Sequence, residues 1–136
     1  MKADEFKALK IRIDEFVDFD EAKAEVTLLK IPKMYQELVD VFSREMHQFN
    51  TLKQEYDVIL AELIKFYKFE DKHAWNNKQE IEMRMKSDKR YLEINEKIIK
   101  QKFIVDYLES SMNNIKNLSF TIKHWIEYKK FVMLLQ

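Results

Sequence analysis

The residues best suited to chemistry lie between positions 63 and 90, which we call the basic segment. Eight basic residues occur there against five acidic ones, interleaved with the rings of Phe66, Tyr67, Phe69 and Trp75. Basic groups bind phosphates and aromatic faces stack on unpaired bases, so this composition is typical of proteins that hold single-stranded nucleic acid. The same rings would also serve to cap a turn between two helices. Spacing alone leaves both interpretations open.

Catalytic and metal-binding patterns are weak by comparison. The chain has no cysteine, which excludes thiolate nucleophiles, disulfides and cysteine-ligated zinc, and its three histidines are far apart in sequence. Glu70 and His73 have the spacing that carboxylate-bridged di-iron bundles use in pairs, but only one copy is present. We therefore predict no catalytic residue, no metal site and no cofactor. A metal-binding helical-bundle oxidoreductase remains an alternative function that rests on Glu70 and His73 alone.

Glycine is absent from the 136 residues, and Pro32 is the only proline. The lack of glycine excludes phosphate-cradling loops and most tight turns of sheet proteins. Apolar residues make up 46% and charged residues 35%, as expected of a soluble folded chain. No apolar run is long enough to span a bilayer, and no signal peptide is apparent, so no membrane contact is predicted. The composition predicts an all-α fold.

Apolar residues recur every three or four positions from Pro32 to Phe66, as along one face of a long helix. Asn76 and Asn77 are the best candidates for a break, and Ser87 or Asp88 would suit a restart as N-caps. We predict one helical domain over 1–136, arranged as a long antiparallel hairpin. Its parts are short N-terminal helices in 1–30, a first long helix over 32–75 and a return helix over 78–135.

The return helix carries two apolar stripes. A heptad register runs from Ile94 to Met133, and a second stripe beside it widens after Leu118. One partner helix does not easily cover both, so the end of this helix is predicted to meet another subunit. The predicted interface consists of Ile115, Leu118, Ile122, Trp125, Ile126, Tyr128 and Val132.

Charge is unevenly distributed along the neutral chain. Residues 1–62 carry 9 basic and 14 acidic side chains, whereas residues 63–136 carry 15 basic and 10 acidic ones. This asymmetry indicates either an anionic partner for the second half or self-association between unlike surfaces.

Two stretches of the sequence form a family pattern. Near the C-terminus, Phe120, Ile122-Lys123, Ile126 and Lys130-Phe131 follow the run Tyr107-Leu108-Glu109. Upstream, Ile31-Pro32-Lys33 precedes a long helical pattern that ends in the aromatic pair Phe66-Tyr67. In their order and spacing over positions 31–131, these residues resemble the UvsY family of recombination mediators from T-even-type phages and their relatives.

The resemblance implies a non-enzymatic protein of the host cell cytoplasm that assembles into hexamer or heptamer rings. It also implies binding of single-stranded DNA and loading of a RecA-class phage recombinase onto strands coated by single-strand-binding protein. With the resemblance included, the basic segment becomes the expected DNA contact, with lysines on phosphates and Tyr67 or Trp75 stacking on bases. The predicted set is Lys65, Tyr67, Lys68, Lys72, Trp75, Lys86, Lys89 and Arg90.

A different class of function is also consistent with these patterns. A coiled-coil adaptor or assembly scaffold that binds only protein helices would show the same apolar stripes. In such a protein the basic half would dock against an acidic surface, and no affinity for DNA would remain at physiological salt.

Overall fold

The computed structural model describes residues 1–70 and 77–136. Within these ranges the chain forms four α-helices. A single 3₁₀ turn, Glu21–Lys23, precedes the second helix, and a π-helical turn, Phe66–Glu70, follows it. No strand occurs in the described ranges, so the predicted all-α class is confirmed. The helices are α1 (Ala3–Val17), α2 (Ala24–Lys65), α3 (Lys78–Ser87) and α4 (Lys89–Leu135).

The start of α2 differs from the prediction. The helix begins at Ala24, and Pro32 lies inside it. Ala24 and Ile31 are both buried, so the apolar face begins before the proline. A proline inside a helix removes one backbone donor and crowds the carbonyl four residues earlier, yet α2 continues through Pro32 to Lys65. The predicted helix start at Pro32 was therefore wrong, and residues 24–30 belong to α2 instead of to a short N-terminal helix.

Side-chain caps define the starts of α3 and α4. The Asn77 side chain accepts a hydrogen bond of 2.9 Å from the backbone N–H of Gln79. Asp88 Oδ1 accepts one of 2.8 Å from the backbone N–H of Arg90, and Asp88 also donates its own N–H to the carbonyl of Met85. Asp88 therefore ends one helix and starts the next, and the predicted restart at this position is confirmed.

The chain forms two compact units. Unit 1 consists of Met1–Ser43 and Asp106–Gln136, and unit 2 consists of Arg44–Val105. The long helices α2 and α4 each contribute to both units.

In unit 1, α1 packs on α4. The Phe6 ring meets Tyr107 edge-on with centroids 5.1 Å apart, and Phe19, which follows α1, meets Trp125 at 5.8 Å. The paired residues advance together along the chain, so α1 runs parallel to α4 here. The guanidinium of Arg12 also donates to Glu37 on α2 at 2.6 Å.

Three residues of the predicted subunit interface lie in the core of unit 1 instead. Ile115 and Ile122 are fully buried and Leu118 is buried within the chain itself. They belong to the core of unit 1, so almost no area of these side chains is left for a second subunit. The heptad pattern indicated burial correctly but did not reveal which surface covers each position.

In unit 2, α2 and α4 run antiparallel. Glu45 meets Gln101, and further along α2 the ring of Tyr56 lies 5.9 Å from that of Tyr91. Gln101 donates through Nε2 both to the Glu45 carboxylate and to the Glu45 backbone carbonyl, each at 2.8 Å. Because both side chains are buried, a shift of register would separate the donor from its acceptors. This polar pair therefore favours one register of the two helices.

No helix within 1–70 and 77–136 combines the length and apolarity needed to cross a membrane.

Candidate nucleic-acid interface

The described part of the basic segment combines the end of α2, the π-helical turn, α3 and the start of α4, all within unit 2. Tyr67 anchors it from the inside: its side chain is only 5% exposed and packs with Leu63 and Met85. The Tyr67 hydroxyl donates a hydrogen bond of 2.6 Å to Asp88 Oδ2. A buried phenol needs such a partner, and Asp88 provides it.

Asp88 also binds the side chain of Arg90. Arg90 Nε donates to Oδ1 at 3.2 Å, and Arg90 Nη2 donates to Oδ2 at 3.3 Å. This forked pair fixes the guanidinium at the first turn of α4. One carboxylate thus receives the Tyr67 hydroxyl, an arginine fork and the backbone N–H that starts α4.

These contacts shift the ionisation of the groups involved. Burial alone raises the pKa of Asp88, but hydrogen bonds from Arg90 and Tyr67 outweigh it and lower the pKa to about 2. The hydrogen bond to Asp88, together with burial, raises the pKa of the Tyr67 phenol. The hydrogen bond to Asp88 likewise raises the pKa of Arg90. At neutral pH the cluster is therefore a carboxylate held by a neutral phenol and a charged guanidinium.

Cations lie close to the aromatic rings of the basic segment. Arg90 Cζ lies 5.7 Å from the centroid of the Phe66 ring, and Arg84 Cζ lies 5.9 Å from that of Tyr67. The ammonium of Lys68 lies 5.3 Å from the centroid of the Phe69 ring. Attraction to the ring face holds these cations near the aromatic surface.

Tyr67 does not have the exposed position predicted for a stacking residue. Its ring is buried and its hydroxyl is bonded to Asp88, so the capping interpretation holds for this ring. Phe69, by contrast, is 72% exposed, with Lys68 beside it. The repeat of apolar residues did not distinguish the two, because the partner that orients Tyr67 lies 21 positions later.

The remaining predicted DNA-binding residues fall into three groups. Lys65, Lys68, Lys86 and Lys89 are exposed, and Lys68 and Lys86 line one groove. Arg90 is exposed but bound to Asp88. Lys72 and Trp75 lie outside the described residues.

The sequence did not single out Arg84, which lies beside Tyr67. Nothing in the sequence around Arg84 indicated this contact. In the structure, the Ser87 hydroxyl donates a hydrogen bond of 2.9 Å to the backbone carbonyl of Arg84. Of the suggested metal pair, His73 and the side chain of Glu70 lie outside what the structure describes. Among the residues described, no group of three or more histidines and carboxylates is placed to hold a metal ion.

Comparison with known proteins gives this arrangement a family. A family model described as "Recombination, repair and ssDNA binding protein UvsY" matches residues 10–133. The chain belongs to the UvsY family. The resemblance seen in the sequence is therefore confirmed, over a longer range than 31–131. A search of curated protein sequences found no match.

Solved UvsY structures share this fold. One crystal structure of the bacteriophage T4 recombination mediator protein UvsY superposes with a TM-score of 0.86 at 16% identity, covering 98% of both chains. A second crystal form gives 0.82 at 17% identity over 91% of this chain and 98% of the other. A third gives 0.81 at 17% identity, over 96% and 98%. At such identities the likeness establishes the common fold.

The Asp88 cluster predicts how stability depends on pH. Because its folded pKa is lowered, the Asp88 carboxylate contributes stability above its unfolded pKa, and this is lost as pH falls through about 2. Asp88→Asn keeps an N-cap side chain but removes the charge. We expect it to lower the free energy of unfolding by about 1–2 kcal/mol at neutral pH, with the deficit shrinking between about pH 5 and 2.

Urea unfolding of both proteins across this pH range, followed by circular dichroism, measures the deficit. Tyr67→Phe is the comparison variant: it removes one of the hydrogen bonds that lower the Asp88 pKa but keeps the charge and the Arg90 fork, so its deficit should be smaller and shrink over the same pH range. A deficit for Asp88→Asn that stays constant with pH would contradict the ionisation described here.

Proposed function

We propose that this protein is a non-enzymatic recombination mediator that binds single-stranded DNA through its basic segment. Its membership of a family described by recombination, repair and single-stranded DNA binding carries the proposal. In this role it helps load a RecA-class recombinase onto strands coated by single-strand-binding protein.

The exposed lysines of unit 2 support this function. Lys65, Lys68, Lys86 and Lys89 are exposed, and the Lys89 ammonium lies 3.8 Å from the Glu93 carboxylate. Exposed ammonium groups bind phosphates by displacing condensed counterions, without reading base sequence. A mediator acts on strands of any sequence, and this form of recognition suits that requirement.

Aromatic contact would supplement the phosphate contacts. Phe69 is the exposed ring of the described basic segment that lies nearest a lysine ammonium, at 5.3 Å from Lys68. We assign it the stacking role predicted for Tyr67, since stacking needs an accessible ring face. Arg90 stays bound to Asp88 at the first turn of α4, which compensates its charge, so its part in the site is to hold that turn in place.

Assembly would provide the affinity that one neutral chain lacks. A strand that contacts several basic segments at once binds with a high effective concentration after its first contact. We therefore propose a ring-shaped homo-oligomer, with hexamers or heptamers as the expected forms. The ring presents several copies of the basic segment to one strand and transfers that strand from the coating protein to the recombinase.

The end of α4 is the surface that we assign to this assembly. Tyr128, Phe131 and Leu135 are exposed and recur three or four residues apart, so they share one face. Trp125, Ile126 and Val132 are half-buried beside them. Trp125 is already covered in part by Phe19, and the ammonium of Lys129 lies 4.6 Å from its ring centroid. This apolar face within unit 1 replaces the buried residues of the original prediction.

Removing three basic side chains tests the DNA-binding role. We expect Lys65→Ala, Lys68→Ala and Lys86→Ala, combined, to weaken binding of single-stranded DNA and to flatten its salt dependence. The slope of log affinity against log salt should fall by about 2, because each lost phosphate contact removes about 0.7. Fluorescence anisotropy of a labelled oligonucleotide at several salt concentrations measures both quantities.

The matched control replaces three exposed lysines of unit 1, Lys7, Lys30 and Lys33, with alanine. This change removes the same charge from the chain but not from the basic segment. Equal losses in the two triple variants would show that only net charge matters. If neither variant loses affinity, the assignment of phosphate contacts to the basic segment is wrong, and if the wild-type protein binds no DNA, the adaptor alternative gains.

Polar substitution of the α4 face tests the assembly. Tyr128→Ser, Phe131→Ser and Leu135→Ser, combined, should yield smaller species, because they remove the apolar area available to a neighbouring subunit. Light scattering coupled to size exclusion gives the mass. Leu29→Ser, which changes an exposed leucine on α2 instead, should leave the mass unchanged. Full-size assemblies of the triple variant would place the interface elsewhere.

A further inference from the structure

Unit 2 contains a groove of about 500 Å³. Two tyrosines, Tyr56 and Tyr91, and three lysines, Lys68, Lys78 and Lys86, contribute to its lining. Glu82 is the one acidic residue among the lining residues, and the others are apolar. The groove therefore joins an apolar and aromatic surface to an excess of positive charge, within the volume range of about 300–1,000 Å³ typical of sites for small ligands.

We propose that this groove binds a nucleobase of single-stranded DNA, with the lysines on the phosphates beside that base. The proposal rests on the DNA-binding function proposed above and assigns a second type of contact to it. A nucleotide matches both properties of the groove, because its base is planar and largely apolar on its faces and its phosphate is anionic.

The positions of the two tyrosines determine how a base would bind. Their ring centroids are 5.9 Å apart and the ring planes are tilted by 52°, so the rings contact each other. No base fits between them as in a sandwich, and it would instead lie on the accessible face of one ring. Both rings are half-buried, so they are held in place before a ligand arrives. Burial, followed by the neighbouring Tyr91, raises the pKa of Tyr56 above the ordinary value for tyrosine.

The charge of the groove favours a nucleotide over a segment of protein. An apolar side chain of a partner would fill the same volume but would leave three lysines opposite one glutamate without an anion to contact. Phosphate alone, conversely, would make no use of the tyrosines or of the apolar lining. A ligand with both an apolar ring and a nearby phosphate uses the whole surface.

Two strands of equal length distinguish base docking from phosphate binding. One is a thymidine oligonucleotide, and the other carries the same phosphates and sugars without bases. We expect the wild-type protein to bind the thymidine strand at least about fivefold more tightly than the abasic strand. Tyr56→Leu combined with Tyr91→Leu should lower this ratio, so that only the preference contributed by Phe69 remains. The affinity for the abasic strand should stay unchanged.

Two variants keep the result interpretable. Tyr56→Phe with Tyr91→Phe retains both rings and should retain the preference for bases. Tyr35→Leu changes a half-buried tyrosine of unit 1 and should also retain it. Circular dichroism and thermal unfolding establish that each variant folds. The comparison of the thymidine and abasic strands with the wild-type protein tests the proposal without any variant.

The possible outcomes separate this proposal from the function on which it depends. Tight binding of both strands with equal affinity would overturn base docking and leave the phosphate contacts of the basic segment standing. A preference that stays at its wild-type size after loss of both tyrosine rings would also overturn it, and would assign the base contact to Phe69. If the wild-type protein binds neither strand, the proposed function and this inference fail together, and the groove is then a candidate for protein contact.

Discussion

The Asp88 carboxylate is the interaction on which the basic segment depends. It caps α4 through the backbone N–H of Arg90, and it receives the hydroxyl of Tyr67 from the π-helical turn after α2. The side chain is 12% exposed, so its negative charge is largely withdrawn from solvent and compensated by Arg90. The exposed lysines therefore surround a packed cluster whose buried charges compensate each other. A site for a flexible polyanion benefits from such a support, because less order has to be gained on binding.

A second buried polar contact acts in the same unit. Glu45 and Gln101 take positions on the apolar faces of α2 and α4 where a hydrophobic residue would be expected. Their hydrogen bonds contribute little net stability. In a shifted register, however, the Glu45 and Gln101 side chains would be buried without their hydrogen bonds to one another, which costs free energy. The pair therefore selects the antiparallel register that brings Tyr56 beside Tyr91, and these two rings contribute to the groove.

Several features of this fold were predictable because they follow from local chemistry. The absence of glycine indicated helices, and the helix restart at Asp88 followed from its N-cap chemistry. Pro32 was misleading, because proline is favoured in the first turn of a helix but does not exclude helix before it. The buried state of Tyr67 depends on a partner distant in sequence. Ile115 and Ile122 show the same limit: an apolar repeat identifies buried positions, but it does not say whether the same chain or another subunit covers them.

Photo-crosslinking tests the central claim, that single-stranded DNA lies along unit 2, most directly. An oligonucleotide with iodouracil in place of thymine is irradiated in complex with the full chain, and cross-linked peptides are identified by mass spectrometry. The account predicts cross-links within positions 56–91, which include Tyr56, Phe69 and Tyr91. Cross-links confined to unit 1, in 1–43 or 106–136, would contradict it.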